Sequence, residues 1–477
     1  MTSAANTSDA PSPIATLPGD TPSDVVAAVV AERRRTFDTG RTHSLQWRRR
    51  QLQALSRLLD DNESEIVEAL ALDLGRPAAD AWLADIGAIQ LELKYVLRRL
   101  KSWMRDTRAV LPLVQQPGSG RVHREPLGVV LVIGPWNYPF YLTLGPLVGV
   151  LAAGNCAVIK PSELAPESAR LIAELVPRYL DSDAVAVVEG GAATTTALLA
   201  QGFDHAFFTG SPEVGKKIMA GAAPHLTPVT LELGGKSPVI VTSDADIDVA
   251  ARRIIWAKLV NSGQTCITPD YLLVSRDVLP KVVLALTTTL ARFQKDSGTS
   301  ALPIVNRRQF DRLSNLLVGH GGDIAAGGVT DPELLTIEPA IVVSPDPDSA
   351  LMQDEIFGPL LPVVAVDGLD DAIQFVRARP KPLAIYLFSS SSKTADKVIA
   401  RTSSGGVVVN HIGLHCMASA LPFGGVGNSG MGAYHGHWGF ETFSHRKAIV
   451  TKRTRPDPIL LYPPVTDLKQ RVLRWFF

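Results

Sequence analysis

The residue with the most distinctive chemistry is a cysteine in the segment 261–269, NSGQTCITP. Cys266 follows a helix-like run over 247–260 and precedes a strand-like run over 271–274, so it lies on a turn among small polar residues. A thiolate at such a turn is a strong nucleophile and a good leaving group. A lone cysteine is more often a small buried apolar side chain, and the turn by itself leaves both interpretations open.

Glu232 is the candidate general base. It lies between two leucines and is followed by two glycines and Lys236. Burial between those leucines would raise its pKa and suit it to proton transfer near neutral pH. The alternative is a surface glutamate paired with Lys236, and the residues alone do not separate the two.

Asn137 is the candidate oxyanion donor, in the loop 135–140, PWNYPF. The loop follows an apolar run over 128–133. A fixed asparagine amide can stabilise a developing oxyanion together with a backbone N–H at the nucleophile. Aromatic loops at strand ends more often simply pack, so this segment also has a structural interpretation.

Two segments have features of a dinucleotide site. Gly210 and Gly215 lie between a strand-like and a helix-like run, where a helix N-terminus can face a phosphate, although the segment lacks G-x-G-x-x-G and fits an ordinary turn. Residues 160–163, KPSE, follow another strand. Glu163 there can bond ribose hydroxyls and repel a 2′-phosphate, which favours NAD, while Lys160 offsets that repulsion. The alternative is a helix start capped by Ser162.

Alternating strands and helices must position these residues. Helix-like blocks over 22–72 and 78–103 come first, and a Pro- and Gly-containing arm over 110–122 follows. Short apolar runs then alternate with helical segments, a pattern typical of parallel sheets. We expect one doubly wound α/β domain and a second α/β domain, with a boundary near 233–235. The predicted strands are 128–133, 156–159, 185–188, 205–208, 239–241, 271–274, 340–343, 361–366, 384–387 and 407–409.

The composition excludes several classes of protein. The 477 residues carry 47 Lys plus Arg and 47 Asp plus Glu, which argues against nucleic-acid and anionic-membrane partners. Three scattered cysteines indicate a reducing, cytoplasmic location.

Residues 1–20 lack the features of a signal peptide and are predicted to be disordered, and no apolar run predicts a membrane span. The basic, aromatic tail 466–477 either contacts a lipid surface or packs on the protein or a partner subunit.

Taken together, these motifs resemble the NAD(P)-dependent aldehyde dehydrogenase superfamily, most of all its class 3 and fatty-aldehyde branch. The resemblance extends from about residue 25 to about residue 473. The segments that carry the resemblance to the superfamily are 135–140, 160–163, 208–215, 231–238, 263–266, 355–359 and 421–430. The resemblance to the class 3 branch in particular rests on three further segments, 432–436, 440–445 and 462–464.

The resemblance implies a role for each matched residue. Cys266 would attack the aldehyde, Asn137 and the Cys266 N–H would hold the oxyanion, and Glu232 would activate the water that hydrolyses the thioester. The implied cofactor residues are Trp136, Lys160, Ser162, Glu163, Gly210, Ser211, Gly215, Leu233, Glu355 and Phe357. The implied substrate residues are Tyr138, Thr265, His411 and Phe423. No metal is implied, and Cys156 and Cys416 are interpreted as structural.

The resemblance also implies domains and partners. Residues 21–109 and 124–232 would form the NAD(P)-binding domain and 233–436 the catalytic domain, while 110–123 and 437–465 would form the arm of a homodimer. The sequence departs from the branch at 411–416, HIGLHC, where an acidic residue more often follows the asparagine. It also stops without the apolar anchor of the membrane-bound members, so a soluble enzyme is expected.

The expected activity is oxidation of an apolar aldehyde, aliphatic of medium to long chain or aromatic, to its carboxylate with NAD, and with NADP as a second cofactor. One alternative is a relative that transfers the acyl group to coenzyme A, against which Glu232 argues. The other is a non-catalytic protein of the same fold, as in lens crystallins, which predicts a damaged site.

Overall fold

The computed structural model describes residues 19–297, 301–457 and 462–476. Most of the stretch 1–20 that was predicted to be disordered therefore lies outside the described residues. Asp20 is an exception, because its carboxylate accepts hydrogen bonds from the Gly191 N–H (2.7 Å) and the Thr194 hydroxyl (2.8 Å). The start of a nearby helix supplies these donors for the aspartate, and the disorder of the stretch as a whole stays a prediction.

The chain begins with a helical layer, as the 22–72 and 78–103 patterns predicted. Ser44 caps the second helix by accepting the Trp47 N–H, and that helix buries an apolar stripe including Leu52, Leu55 and Leu59. A π-helical turn, Trp82–Gly87, interrupts the layer. The helices are α1 Ser23–Asp38, α2 Leu45–Asp61, α3 Glu63–Leu74, α4 Ala78–Ala81 and α5 Ala88–Trp103.

The first α/β unit is a sheet of parallel strands with one antiparallel edge. Its strand Val129–Ile133, β3, is buried at all five positions, as its uninterrupted apolar run predicted. After the arm strands β1 Thr107–Ala109 and β2 Gly118–Pro126, the elements are β3 Val129–Ile133, α6 Tyr141–Ala153, β4 Cys156–Lys160, α7 Pro166–Tyr179, β5 Val185–Val187, α8 Ala192–Leu199, β6 His205–Gly210, α9 Pro212–Ala222 and β7 Val229–Leu233.

The second α/β unit is a seven-stranded sheet with its helices. The elements are β8 Pro238–Val241, α10 Ile247–Leu259, β9 Tyr271–Ser275, α11 Leu279–Ser297, α12 Arg307–Leu316, β10 Asp323–Ala326, β11 Thr330–Asp331, β12 Thr336–Ile337, β13 Ala340–Val343, α13 Ala350–Gln353, β14 Leu360–Val366, α14 Leu369–Arg377, β15 Ala384–Phe388, α15 Ser392–Arg401 and β16 Gly406–Val409. The order of the sheet is β10-β13-β14-β9-β8-β15-β16, and it is parallel except for the pairing of β10 with β13.

The chain then returns to the first unit. The last elements are β17 Gly430–Met431, α16 Gly436–Thr442, β18 Ser444–Lys452 and α17 Asp467–Phe476. β17 completes the first sheet, whose order is β17-β7-β6-β3-β4-β5. Gly149 of α6 and Gly439 of α16 approach so closely that a Cβ at Gly149 would lie 3.1 Å from the Gly439 carbonyl carbon. Both β17 and the start of α16 were assigned by sequence to the range 233–436, and that division remains a prediction.

The arm is a three-stranded antiparallel sheet in the order β1-β2-β18. Ser444 pairs with Pro126 and Lys452 with Gly118, so β2 and β18 are matched along their full length. The segment 110–122, predicted from its Pro and Gly content to be a hairpin or an arm, lies within the antiparallel pair of β1 and β2. Its pairing with a strand more than 300 residues later is a long-range contact that no local pattern indicates.

Candidate active site

Cys266 lies on a strained turn after α10. Asn261, Ser262 and Gly263 have φ values of 52°, 51° and 69°, which only glycine adopts without cost. A Cβ at Gly263 would lie 2.3 Å from the carbonyl oxygen of Gly358, so this position also requires glycine for space. Gln264 holds the turn in place, because its side-chain oxygen accepts the Val305 N–H at 3.0 Å. The turn is therefore fixed before any ligand binds.

The Asn137 loop lies against this turn. The Asn137 side-chain amide donates to the carbonyl oxygen of Gln264 at 3.1 Å, and the Asn261 amide donates to the carbonyl oxygen of Asn137 at 3.0 Å. The hydroxyl groups of Tyr138 and Thr265 are 2.7 Å apart. An asparagine amide has two N–H donors, so Asn137 can hold the turn with one and face a substrate with the other.

Glu232 is a buried and unpartnered carboxyl group. It lies on β7 with 4% of its surface exposed, and neither carboxyl oxygen has a hydrogen-bond partner among the described residues. Burial raises its pKa well above the usual value. The surface pairing with Lys236 is excluded, because the Lys236 ammonium instead binds Asp270 and the carbonyl oxygens of Leu351 and Asp354.

The electrostatics of the site do not favour a free thiolate on Cys266. Burial raises the pKa of its thiol, and the charges of Glu355, Cys416 and Glu232 raise it further, whereas a backbone hydrogen bond lowers it. The thiol nevertheless lies on a partly exposed residue. Deprotonation therefore needs an acceptor close by, and carboxyl groups with raised pKa values are suitable bases.

Glu355 and Phe357 lie in the segment between α13 and β14, and both make close contacts with residues of other segments. The Glu355 carboxylate packs against Gly234, where a Cβ would lie 2.0 Å from its Oε2. Burial and the nearby Asp270 raise the pKa of Glu355 to about 8, while the Gly235 N–H lowers it. The ring of Phe357 meets the ring of Trp136 edge to face at 5.6 Å. The Trp136–Phe357 contact thus joins the loop after β3 to the segment between α13 and β14, which also carries Glu355.

The predicted phosphate segment has the geometry of a helix N-terminus at a sheet edge. Gly210 ends β6, and Ser211 caps the 11-residue helix α9 by accepting the Val214 N–H at 3.4 Å. A Cβ at Gly215 would lie 2.8 Å from Cδ2 of Leu233, so this glycine allows α9 to lie close to β7. Pro212 has no N–H and the Val214 N–H is bonded to Ser211, so among the first three residues of α9 the Glu213 N–H is the one left to face an anion.

The second predicted nucleotide segment lies at the end of β4. The Lys160 ammonium donates to Glu163 at 3.2 Å and to the carbonyl oxygens of Pro161 (2.8 Å) and Gly190 (2.7 Å). The Glu163 side chain is 44% exposed. Ser162 accepts the Leu164 N–H and does not cap α7, which begins at Pro166, so the helix-start alternative is wrong.

The remaining predicted substrate residues lie on two further segments. The Phe423 ring is buried among the rings of His415, Tyr434 and His435, at 5.4, 5.9 and 5.6 Å. The His411 ring meets the Trp256 ring at 6.1 Å, which puts it beside α10. Phe423 and His411 share no ring partner among the described residues, so the two predicted substrate residues lie in separate aromatic clusters.

Comparison with known proteins decides the family. The sequence model described as the aldehyde dehydrogenase family matches residues 4–449. The chain belongs to this family. The motif-based resemblance, the α/β fold class and the class of enzyme, an oxidoreductase that acts on aldehydes with NAD(P), are confirmed.

Individual relatives cover nearly the whole chain. Aldehyde dehydrogenase family 3 member H1 of Arabidopsis thaliana is 46% identical over 94% of this chain and 93% of its own. The dimeric NADP-preferring aldehyde dehydrogenase of Rattus norvegicus is 46% identical over 90% and 94%. The substrate-bound structure of Staphylococcus aureus AldH has a TM-score of 0.91 at 40% identity, covering 95% of this chain and 99% of that one.

The residues of this aldehyde dehydrogenase fit its nicotinamide cofactor. The open N-terminus of α9 suits a pyrophosphate, the exposed Glu163 carboxylate suits ribose hydroxyls, and the Glu355 carboxylate and Phe357 ring lie on one segment near Cys266. No group of three potential metal ligands occurs in the part of the chain that the structure describes. Likewise, no helix within the described ranges is long and apolar enough to cross a membrane.

Sequence reasoning missed several residues of the site. Cys416 was interpreted as structural, yet it is partly exposed and close enough to influence the pKa of Cys266. The Tyr141 hydroxyl donates to the Cys416 carbonyl oxygen at 3.0 Å, and the Tyr386 hydroxyl donates to that of Ile267 at 2.6 Å. Cys156, by contrast, is fully buried, with its pKa raised to about 12, as a structural cysteine requires.

Proposed function

We propose that Cys266, Glu232 and Asn137 catalyse the NAD(P)-dependent oxidation of an apolar aldehyde to its carboxylate through a thioester. The observation that carries this proposal is the meeting of a thiol turn and an amide loop through the Asn137–Gln264 hydrogen bond, next to a buried, unpartnered carboxyl group. Aromatic side chains support an apolar aldehyde of medium to long chain or an aromatic one: the Tyr138 hydroxyl lies 2.7 Å from that of Thr265, and Tyr141 is close enough to Cys266 for the charge of a thiolate to raise its pKa. The Phe423 ring packs against Tyr434, whose pKa the same thiolate raises.

The first step is transfer of the Cys266 thiol proton to a nearby base, which releases it to solvent, and attack of the resulting thiolate on the aldehyde carbon. The carbonyl oxygen gains negative charge, which the second N–H of the Asn137 amide and the Cys266 backbone N–H stabilise. Because the loop and the turn are tied together in advance, the donors need not reorganise during the reaction. A nicotinamide held by Trp136, Glu355 and Phe357 would supply the acceptor for the hydride that leaves this carbon.

The second step is hydrolysis of the thioester on Cys266. Ionised Glu232 takes a proton from water, the resulting hydroxide attacks the acyl carbon, and the Cys266 thiolate leaves. The raised pKa of Glu232 makes its carboxylate a stronger base than an exposed glutamate. The lack of hydrogen-bond partners on Glu232 supports this role, because both oxygens are free to bind water.

The test is a pre-steady-state measurement with an apolar aldehyde. Cys266→Ala should abolish NAD(P)H formation, whereas Glu232→Gln should give one burst of NAD(P)H per site followed by slow turnover. Unchanged aldehyde oxidation in Cys266→Ala would refute the nucleophile assignment. Acyl-CoA forming faster than free acid when coenzyme A is present would favour the acyl-transferring alternative.

The apolar preference needs its own measurement. A panel of short to long aliphatic and aromatic aldehydes, each run with NAD and with NADP, would report kcat/KM for every pair. We infer use of NAD, and of NADP as well, because Glu163 disfavours a 2′-phosphate while its partner Lys160 attracts one. A preference for short charged semialdehydes would contradict the substrate assignment.

The domain division and the partners also belong to this proposal. We infer a cytoplasmic homodimer built through the arm, whose edge strand β18 leaves backbone groups available for pairing. The rat relative is itself named dimeric. The division into 21–109 with 124–232, 233–436, and the arm 110–123 with 437–465 is retained as proposed. Sedimentation equilibrium of the full chain would test the dimer, and a monomer at micromolar concentration would exclude it.

The tail is proposed to touch a lipid surface. The charge of the whole chain is balanced, but helix α17 combines apolar Leu468 and Val472 with basic Lys469, Arg471 and Arg474, a local composition suited to a lipid surface. Sedimentation with vesicles of anionic lipid, compared with zwitterionic vesicles, tests this contact. Equal binding before and after removal of residues 466–477 would exclude it.

A further inference from the structure

A buried arginine–aspartate pair lies behind the Asn137 loop. Arg76 is 3% exposed and Asp85 is fully buried. Arg76 follows the end of α3, and Asp85 belongs to the π-helical turn Trp82–Gly87. The Arg76 guanidinium donates to the Asp85 carboxylate with one terminal nitrogen and to the Asn137 carbonyl oxygen with the other. The fork of the guanidinium thus joins the pair directly to the proposed oxyanion donor.

Asp85 holds the other end of the same loop. Its second carboxyl oxygen accepts the N–H groups of Phe140 (3.1 Å) and Tyr141 (2.9 Å), where α6 begins. Arg76 also stacks over the Tyr138 ring, with its Cζ 4.5 Å from the ring centroid. The two charged residues therefore fix four of the five residues from Asn137 to Tyr141.

This clamp fixes the direction of the Asn137 side chain. The Asn137 carbonyl oxygen has two donors, the Arg76 guanidinium and the Asn261 amide, so its peptide plane cannot rotate freely. With the backbone held, the Asn137 amide starts from a fixed Cα position and donates to the Gln264 carbonyl oxygen at 3.1 Å. An oxyanion donor displaced by about 1 Å loses much of its effect.

We propose that Arg76 and Asp85 are positioning residues for the oxyanion step. This inference rests on the proposed role of Asn137, because the pair acts on the substrate only through that residue. The rival interpretation is purely structural, since breaking a buried ion pair is strongly destabilising wherever it lies. A π-helical turn is more frequent at functional sites than elsewhere in helices, which agrees with a positioning role.

The experiment compares Arg76→Lys and Asp85→Asn with the unaltered enzyme well below their unfolding temperatures. Arg76→Lys keeps the charge but loses the fork, and Asp85→Asn keeps the shape but loses the charge. We expect kcat to fall about 10- to 100-fold, which is less than the fall in kcat when an oxyanion donor is deleted. The change in KM should be smaller than the change in kcat. A kinetic isotope effect with aldehyde deuterated at its carbonyl carbon should appear or increase.

A second measurement distinguishes an effect on oxyanion stabilisation from an effect on the reactivity of the Cys266 thiol. Alkylation of Cys266 by iodoacetamide displaces iodide and develops no oxyanion, so its rate should stay unchanged in both variants. The matched control is Arg48→Gln, another buried arginine, which donates to the Ala152 carbonyl oxygen at 3.0 Å near the opposite end of α6. It should lower stability and leave kcat and the isotope effect of the folded enzyme unchanged.

The outcomes distinguish the two proposals. Full activity in Asn137→Ala would refute the oxyanion role itself. An inactive Asn137→Ala together with Arg76→Lys and Asp85→Asn variants that lose only stability would overturn the positioning role. The double variant Asn137→Ala with Asp85→Asn should be no slower than Asn137→Ala alone, and additive losses would also overturn it.

Discussion

The side-chain amide of Asn261 donates a hydrogen bond to the carbonyl oxygen of Asn137 at 3.0 Å, across 124 residues of sequence. The same amide donates to the carbonyl oxygen of Gln264 at 3.2 Å. One asparagine in a left-handed conformation thus joins the proposed oxyanion loop to the turn that carries Cys266. Asparagine tolerates this conformation better than most residues, so both its backbone and its side chain are suited to the position.

Substitution of Asn261 should therefore reduce both stability and rate. Asn261→Gly retains a residue that accepts the φ of 52° and loses both hydrogen bonds. We expect a loss of about 1–3 kcal/mol in the free energy of unfolding and a fall in kcat. Asn261→Ala should cost more because it adds backbone strain. Urea unfolding and steady-state kinetics measure both, and equal kcat in all three proteins would contradict the coupling.

Glu232 should make folding less favourable as pH rises. Its folded pKa is raised far above the value of 4.5 expected in the unfolded chain, so the folded state retains a proton that the unfolded state releases. Stability associated with this group is complete below pH 4.5 and is lost as pH rises toward the folded pKa. Glu232→Gln should match the unaltered protein at pH 4 and exceed it at pH 8 in denaturant titrations. Parallel pH profiles would exclude a buried, neutral carboxyl group.

Glu355 should make cofactor binding dependent on pH. Its pKa of about 8 leaves much of the carboxyl group protonated at neutral pH, and only the ionised form has full acceptor capacity for ribose hydroxyls. The dissociation constant of NAD, measured by fluorescence titration, should fall between pH 7 and pH 9. Glu355→Gln should bind more weakly and show no such change. A pH-dependent affinity that persists in Glu355→Gln would assign the effect to another group.

Much of the fold follows from local patterns in the sequence, and the exceptions have physical causes. The run 128–133 predicted β3 because a strand buried on both faces is apolar at every position. β7 was not predicted as a strand, because Thr230 and Glu232 interrupt its apolar pattern. β17 contains two residues and exists only through its pairing with β7, so no periodicity marks it.

The candidate site also contains some residues that the sequence indicated and others that it did not. The motifs around Cys266, Glu232 and Asn137 are local, and the family resemblance indicated them directly. Arg76 and Asp85 were missed because charged residues near helix ends usually lie on the surface, and only the tertiary structure buries this pair. The proximity of Cys416 to Cys266 was missed for a related reason, because it depends on the return of the chain after β16.

Gly215 offers a test of how α9 is positioned for the cofactor. A Cβ there would lie 2.8 Å from Cδ2 of Leu233, so Gly215→Ala should push α9 away from β7 and weaken NAD binding. The loss should be modest, about 1–3 kcal/mol in unfolding, because the contacted atom is the end of a side chain that can shift. Leu233→Ala in the same protein would remove that atom, and the double variant should recover part of the NAD affinity lost in Gly215→Ala. Strictly additive effects in calorimetric titrations would show that the contact between Gly215 and Leu233 does not set the position of the helix.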